Sequence, residues 1–449
     1  MRFYQSGYTK ESNRLARIRR AVKSRAPHFG VNKQREIARL LYEISKREKT
    51  LPQKLISEAQ FENYKVLKTI LLARRFPEAT RQKEALRPYL PDFSFSQVSS
   101  VNLKRALFSP KKIFVEQGLE FSEIVRRLKK AFPAIPIEKI PSLKEYQGMR
   151  KGLSIGDYNR RSEKVFVVAQ KDDYFKKCPC TAGAQGCGYH IFNCGFGCVF
   201  ECTYCFLQQY TNTPGIVLPA NLDAYFDALK HYQKSGMRCG TGEFSDSLAL
   251  DSITGYSKSI IDFFKNIPEV TFEFKTKSTQ IAHLLEESPR GNIVVSWSLN
   301  PQKMIDQNEF FTPALNERLK AAQECRRAGY RIGFHFDPLI YYPGWRKDYE
   351  NVVSRIFDFL SPDCIAWISL GTFRCSPSLK PILEARFPSN SILDGELFLG
   401  NDNKLRYSFA ARRDMYRHLL TTIRKFSKKI WVYLCMEDRA MHKAVKNEQ

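Results

Sequence analysis

Hydrophobic positions near the start of the chain recur with a helical period. Ile37, Leu40, Leu41 and Ile44 fall at i, i+3, i+4 and i+7, and Val66, Ile70 and Leu71 carry the spacing into a second segment. Asn32 is the expected N-cap of the first segment, and Pro77 with the prolines at 88 and 91 ends the pattern. Arg35, Arg39, Lys46, Arg74 and Arg75 would then face water, making residues 1–108 a basic helical region. From Lys112 the pattern changes. Residues 113–115 and 165–169 read as strands and 121–132 as an amphipathic helix, together a small α/β entry segment over 109–184. Strand patterns then recur at 189–192, 237–240, 270–275, 293–299, 330–336 and 364–370, with helical patterns at 257–266, 281–286, 315–328 and 349–360. Six βα units with crossovers of this length predict a parallel sheet, in the form of an open (β/α)6 barrel of the TIM type over 185–449. In such a barrel the working residues sit at the C-terminal strand ends.

Composition adds three constraints. Of the 449 residues 43% are hydrophobic, which excludes wholesale disorder. No run spans a bilayer and the N-terminus lacks a signal-peptide core, so the expected setting is soluble and cytoplasmic, with no membrane partner. Residues 1–27 are rich in Arg and Ser, but Glu11 and the lack of an amphipathic pattern favour a basic arm over a transit peptide. The formal charge is +26, and residues 1–150 carry 33 basic against 14 acidic side chains, a net of +19. A polyanion such as nucleic acid is the economical partner, and a merely solvated basic face is the alternative.

Twelve cysteines in a chain of this kind read as metal ligands or working thiols before disulfides. Seven lie between 178 and 205. Cys198, Cys202 and Cys205 form C-x3-C-x2-C, a spacing that ligates three irons of a [4Fe–4S] cube and leaves the fourth open. A zinc site is the alternative, but it asks for a fourth ligand and usually a second C-x2-C knuckle. Upstream, Cys178, Cys180, Cys187 and Cys194 could hold a second iron–sulfur centre or a zinc, or be a metal-free cysteine-rich loop. His335 and Asp337 end the fifth strand, as substrate contacts, proton donors or hydrogen-bonded structural groups.

The cluster spacing, Tyr204 before its last cysteine and the βα units that follow resemble the radical S-adenosylmethionine superfamily. That resemblance implies that the open iron binds S-adenosylmethionine, whose reductive cleavage gives a 5′-deoxyadenosyl radical. Gly240-Thr241-Gly242-Glu243, ending the second strand, is similar to the superfamily's glycine-rich motif facing the methionine amino group, although such a turn ends many strands. The segments 203–208, Ser245-Asp246 with Asp251, Lys275-Thr276-Lys277, Ser298-Leu299-Asn300, Gly329-Tyr330, Gly333-Phe334, Gly344-Trp345 and Phe373-Arg374 with Lys380 narrow the resemblance to the spore photoproduct lyase family, over about 112–435. It implies that Lys277 pairs with the methionine carboxylate, unless it is a solvent-facing strand-end lysine, with Ser298 near the cofactor. Arg374, Lys380, Arg406 and Tyr407 are implied to lie toward DNA. Tyr204, Glu243 and Cys239 are the candidate catalytic residues.

Two positions depart from the family pattern. Glu243 stands where the lyase has its hydrogen-donor cysteine, and Phe206 where a tyrosine follows the third cluster cysteine. Neither can supply thiol hydrogen transfer or a phenol's part in radical return. Cys239, four residues before Glu243, is the candidate substitute, with an inert packed cysteine the alternative. The expected function is therefore a radical S-adenosylmethionine lyase reversing a pyrimidine photolesion in DNA, fed by a donor such as flavodoxin or ferredoxin. Modification of RNA or protein, and a non-catalytic zinc-stapled nucleic-acid-binding protein, are the alternatives.

Overall fold

The computed structural model describes residues 2–81, 88–90, 101–103, 106–148, 153–172, 174–181, 183–232, 234–289 and 291–446. The proline break expected over 88–91 lies partly outside them. The chain divides into two units, one of Met1–Lys104, Ile340–Pro343 and Phe373–Arg412, the other of Arg105–Leu339, Gly344–Thr372 and Arg413–Gln449. Residues 109–184, expected as a separate entry segment, thus fall with the barrel strands, while 373–412 fall with the N-terminal helices.

The larger unit holds an eight-stranded sheet. Its spatial order is Val432–Leu434, Ile365–Thr372, Arg331–Leu339, Ile293–Ser298, Thr271–Thr276, Arg238–Gly240, Tyr189–Phe192 and Phe175–Lys177. All pairings are parallel except the last, so the six expected strands stand in sequence order between an added parallel edge and an antiparallel one. Every residue of Ile293–Ser298 and Ile365–Thr372 is buried, as parallel strands covered on both faces require. A second, all-parallel sheet of four strands runs Ile137–Ile140, Lys112–Glu116, Lys164–Val168 and Ile216–Pro219. The first and last of these were not expected from the sequence: the burial of Ile137–Ile140 is patchy, and Ile216–Pro219 ends in a proline.

The smaller unit packs helices Arg2–Arg25, Val31–Arg47, Pro52–Glu58, Tyr64–Arg75 and Pro77–Arg81 with helix Leu379–Arg386 and a three-stranded antiparallel sheet, Arg374–Cys375, Leu405–Tyr407 and Leu397–Leu399. Gly30, not Asn32, precedes the second helix; Asn32 lies in its first turn. Asn63 caps Tyr64–Arg75 by accepting from the amides of Lys65 and Val66. The expectation of exposed basic faces fails at the centre of the unit. Glu43 accepts from Arg39 and Arg75 at 3.0 Å each and from Lys380 at 2.8 Å, all buried, and Arg39 also pairs with Glu384. Burial opposes the charge of Glu43, but the cations Lys380, Arg75 and Arg39 together hold it below the usual carboxylate range. Lys46 faces Asp394 at 3.7 Å, and Arg74 is shared by Glu48 and Glu58. Of the five named basic residues only Arg35 is exposed.

Candidate cluster and cofactor site

The loop carrying Cys198, Cys202 and Cys205 leaves the C-terminal end of Tyr189–Phe192, where a parallel barrel presents its working groups. All three residues are partly exposed, while their sulfurs lie in a buried setting. Their loop is held by side chains that no local pattern announces. Arg161, 1% exposed, donates to the carbonyls of Cys198 (2.9 Å), Phe200 (2.6 Å) and Tyr158 (3.1 Å) and to the Glu201 carboxylate (2.9 Å). Gln208 donates to the carbonyls of Thr203 and Cys205, both at 3.0 Å. The short strand Glu201–Cys202 pairs antiparallel with Glu309–Phe310, so the loop is also clamped from the fourth strand's side.

That clamp leads to a buried polar network. Glu309 accepts from Arg318 at 2.6 Å, from Asn300 at 2.9 Å and from the Tyr204 hydroxyl. Tyr349 in turn donates to Asn300 at 2.8 Å. Tyr204 is therefore fixed by its phenol, and Lys277 lies 5.8 Å from the centre of its ring. Burial opposes the Lys277 charge, but Glu309, Cys202 and Asp246 outweigh it and raise the ammonium's pKa. Its position is set by Asp246, whose carboxylate accepts from the Lys277 amide at 2.7 Å, the Thr276 hydroxyl at 2.6 Å and the Ala249 amide at 2.9 Å.

The glycine-rich turn has two uses for glycine. A Cβ on Gly240 would collide with the Glu273 carbonyl and the Tyr189 hydroxyl, so this glycine serves strand packing. Gly242 has φ +114°, a conformation that side chains rarely adopt. Glu243 lies beside Lys176, Nζ to Oε2 3.1 Å, without a hydrogen bond of proper geometry. Cys239 is wholly buried within its strand, and burial raises its thiol, which matches a packed cysteine. Ser298 is buried at its strand end, and its carbonyl accepts from Arg318. His335 is buried on Glu273 at 2.7 Å, a structural pair, and Asp337 precedes a cis proline on the same strand.

The residues implied to face DNA are mostly engaged elsewhere. Lys380 is buried on Glu43, Arg406 forks onto Asp402 at 2.6 and 2.9 Å, and the Tyr407 hydroxyl accepts from the Tyr341 amide at 3.1 Å. Arg374 is partly exposed, on the strand paired to Arg406.

The three loop thiols fit an iron–sulfur cube. Burial raises each, Cys198 to about 12, while Arg161 acts against the rise at Cys198 and Cys205 and Lys277 at Cys202 and Cys205. Both cations would favour thiolates in this loop. Among the described residues no three His, Cys, Asp or Glu side chains converge on a single-ion centre. A cube takes each thiolate on a different iron, so it does not need that convergence.

A parallel half-barrel with such a loop at the end of its first strand is the radical S-adenosylmethionine fold. Residues 108–410 match the profile of the family described as spore photoproduct lyase, and the chain belongs to that family. Spore photoproduct lyase of Bacillus subtilis (strain 168) is 27% identical over 208 residues, 44% of this chain and 61% of that one. The Clostridium acetobutylicum protein is 27% identical over 169 residues, 36% of this chain and 50% of that one. The chain thus spans about half to three fifths of these curated relatives. A solved spore photoproduct lyase variant with bound AdoMet and dinucleoside spore photoproduct superposes with TM-score 0.63 at 22% identity, covering 73% of this chain and 100% of that one. No helix among the described residues is long and apolar enough to cross a membrane.

Proposed function

We propose that this protein is a radical S-adenosylmethionine enzyme that reverses a pyrimidine photolesion in DNA. The observation that carries the reading is the loop of three cysteines, its backbone held by Arg161 and with Lys277 over the Tyr204 ring, at the mouth of a family half-barrel. When bound there, a [4Fe–4S] cluster and S-adenosylmethionine supply a reducing electron and a 5′-deoxyadenosyl radical. The chain's residues hold and orient. Cys198, Cys202 and Cys205 ligate, and the Lys277 ammonium pairs with the methionine carboxylate. Gly242 lets the backbone approach the amino group, with the Glu243 carboxylate beside it. Ser298 lies near the cofactor, and a flavodoxin- or ferredoxin-like carrier delivers the electron.

Glu243 also favours a second reading. It stands with Lys176 where the family's donor thiol belongs, so this chain returns hydrogen by another route or acts on another substrate, RNA or protein. The test is anaerobic incubation of reconstituted protein with S-adenosylmethionine, dithionite and UV-irradiated oligonucleotides. Production of 5′-deoxyadenosine with loss of lesion is expected. Production without lesion loss moves the protein to the second reading, and no production at full iron loading removes both.

A further inference from the structure

The eight-stranded sheet is open, with Phe175–Lys177 at one edge and Val432–Leu434 at the other. Chain just beyond these edges draws them together. The Gln185 amide donates to the Glu437 carbonyl at 2.8 Å, Ala184 bridges Asp438, and the Thr181 amide reaches the Met436 sulfur at 3.2 Å. The loop after the first edge strand carries Cys178, Cys180 and Cys187, and the turn after the last begins at Cys435, whose amide donates to the Leu370 carbonyl at 2.7 Å. Cys194, the expected fourth member, is placed elsewhere: it lines the cleft beside Cys198, Thr241 and Asp246.

We propose that Cys178, Cys180, Cys187 and Cys435 hold a second metal centre as four thiolates, and that this centre staples the two edges of the open barrel. Backbone pairing brings the four together: the Cys178 amide donates at 2.9 Å to the carbonyl of Tyr189, two residues beyond Cys187, the Cys180 amide donates to the Cys178 carbonyl at 2.7 Å, and Thr181, next to Cys180, reaches Met436, next to Cys435. A separate observation comes from Arg238. Its guanidinium lies 4.1 Å from the ring centre of Trp367, 4.6 Å from Trp431, 5.4 Å from Tyr433 and 5.7 Å from Tyr189. All three of its nitrogens are buried without a hydrogen-bond partner of proper geometry. Tyr433 and the Glu273 carboxylate already act on this cation, and Cys187 is a weaker third, so a thiolate centre here would meet a buried positive charge. Four thiolates on a divalent ion leave a net negative charge, and N–H groups aimed at sulfur are the outer support that such centres use. The thiols do not yet converge as ligands of one ion. Binding would therefore draw the loop in, coupling occupancy to closure of the sheet. Zinc and an iron–sulfur centre both accept four thiolates.

The experiment is zinc, iron and acid-labile sulfide analysis of the full chain as wild type, Cys435→Ser and Cys194→Ser, with a Cys198→Ala/Cys202→Ala/Cys205→Ala variant in which any metal left belongs to the second centre. One centre per chain is expected in the triple variant, kept in Cys194→Ser and lost in Cys435→Ser, which also melts at a lower temperature. Either zinc alone or iron with sulfide supports the site and identifies its occupant. A metal-free triple variant that is folded overturns it, as does retention in Cys435→Ser or an equal loss in Cys194→Ser. If the triple variant does not fold, total metal in the two single variants against wild type decides the matter.

Discussion

Replacing Arg161 by Met should loosen the cluster loop more than any other single change remote from the thiols. The guanidinium forms a buried ion pair with Glu201, itself 1% exposed, and it also serves the carbonyls of Tyr158, Cys198 and Phe200. Removing one partner of a buried pair costs about 3–5 kcal/mol. Each orphaned carbonyl adds up to about 1 kcal/mol, less where water enters. A total near 5 kcal/mol corresponds, for a unit of this size, to a fall of roughly 10 °C in Tm. Lys at 161 keeps the charge but not the fork, so it should fall between wild type and Met. Arg161→Met combined with Glu201→Leu removes both charges and should recover part of the loss. Thermal melting and iron per chain after anaerobic reconstitution read the series. An Arg161→Met protein that melts within about 2 °C of wild type and loads iron fully would refute the argument that this residue builds the loop.

Two further outcomes are expected. Lys277→Met should leave iron content unchanged while weakening S-adenosylmethionine binding about 10- to 100-fold, the worth of one charged hydrogen bond; equal affinity by calorimetry would place the ammonium away from the carboxylate. Stability should fall on acidification below about pH 6.5, because burial holds His335 neutral, so the unfolded chain takes up its proton first. Glu273, held at about 2, acts in the same direction below pH 4.5, its contribution being lost as pH falls toward 2. His335→Gln should flatten the urea midpoint between pH 6.5 and 5, and an unchanged slope there would exclude His335 as the source.

The barrel strands were legible because a covered parallel strand is apolar on both faces, and 293–299 and 364–370 read so without help from neighbours. The cluster loop was legible because its three ligands fall within eight residues. What escaped the sequence is pairing across distance. Arg161 lies 37 residues before Cys198, and Arg39 lies 345 before Glu384. A charge read alone defaults to the surface, so Arg39 and Arg75 read as facing water and Lys380 as facing DNA, when each has a buried acid waiting. Cys435 escaped for the same reason: nothing near it in the chain marks it as lying where the 178–187 loop meets Met436 and Glu437.

The charged centre of the smaller unit also sets a timetable for synthesis. Glu43, Arg39 and Arg75 leave the ribosome early, while Lys380 and Glu384 follow some 340 residues later. At about 5–20 residues per second that interval is roughly 15–70 s. During the wait the helix face meant for the interior shows water a carboxylate and two guanidiniums, where an all-apolar face would be adhesive. Ionic pairing in place of an oily seam thus lets the first-made helices stay dispersed until their late partner arrives. It also ties completion of that unit to translation of the segment that carries Lys380 and Glu384.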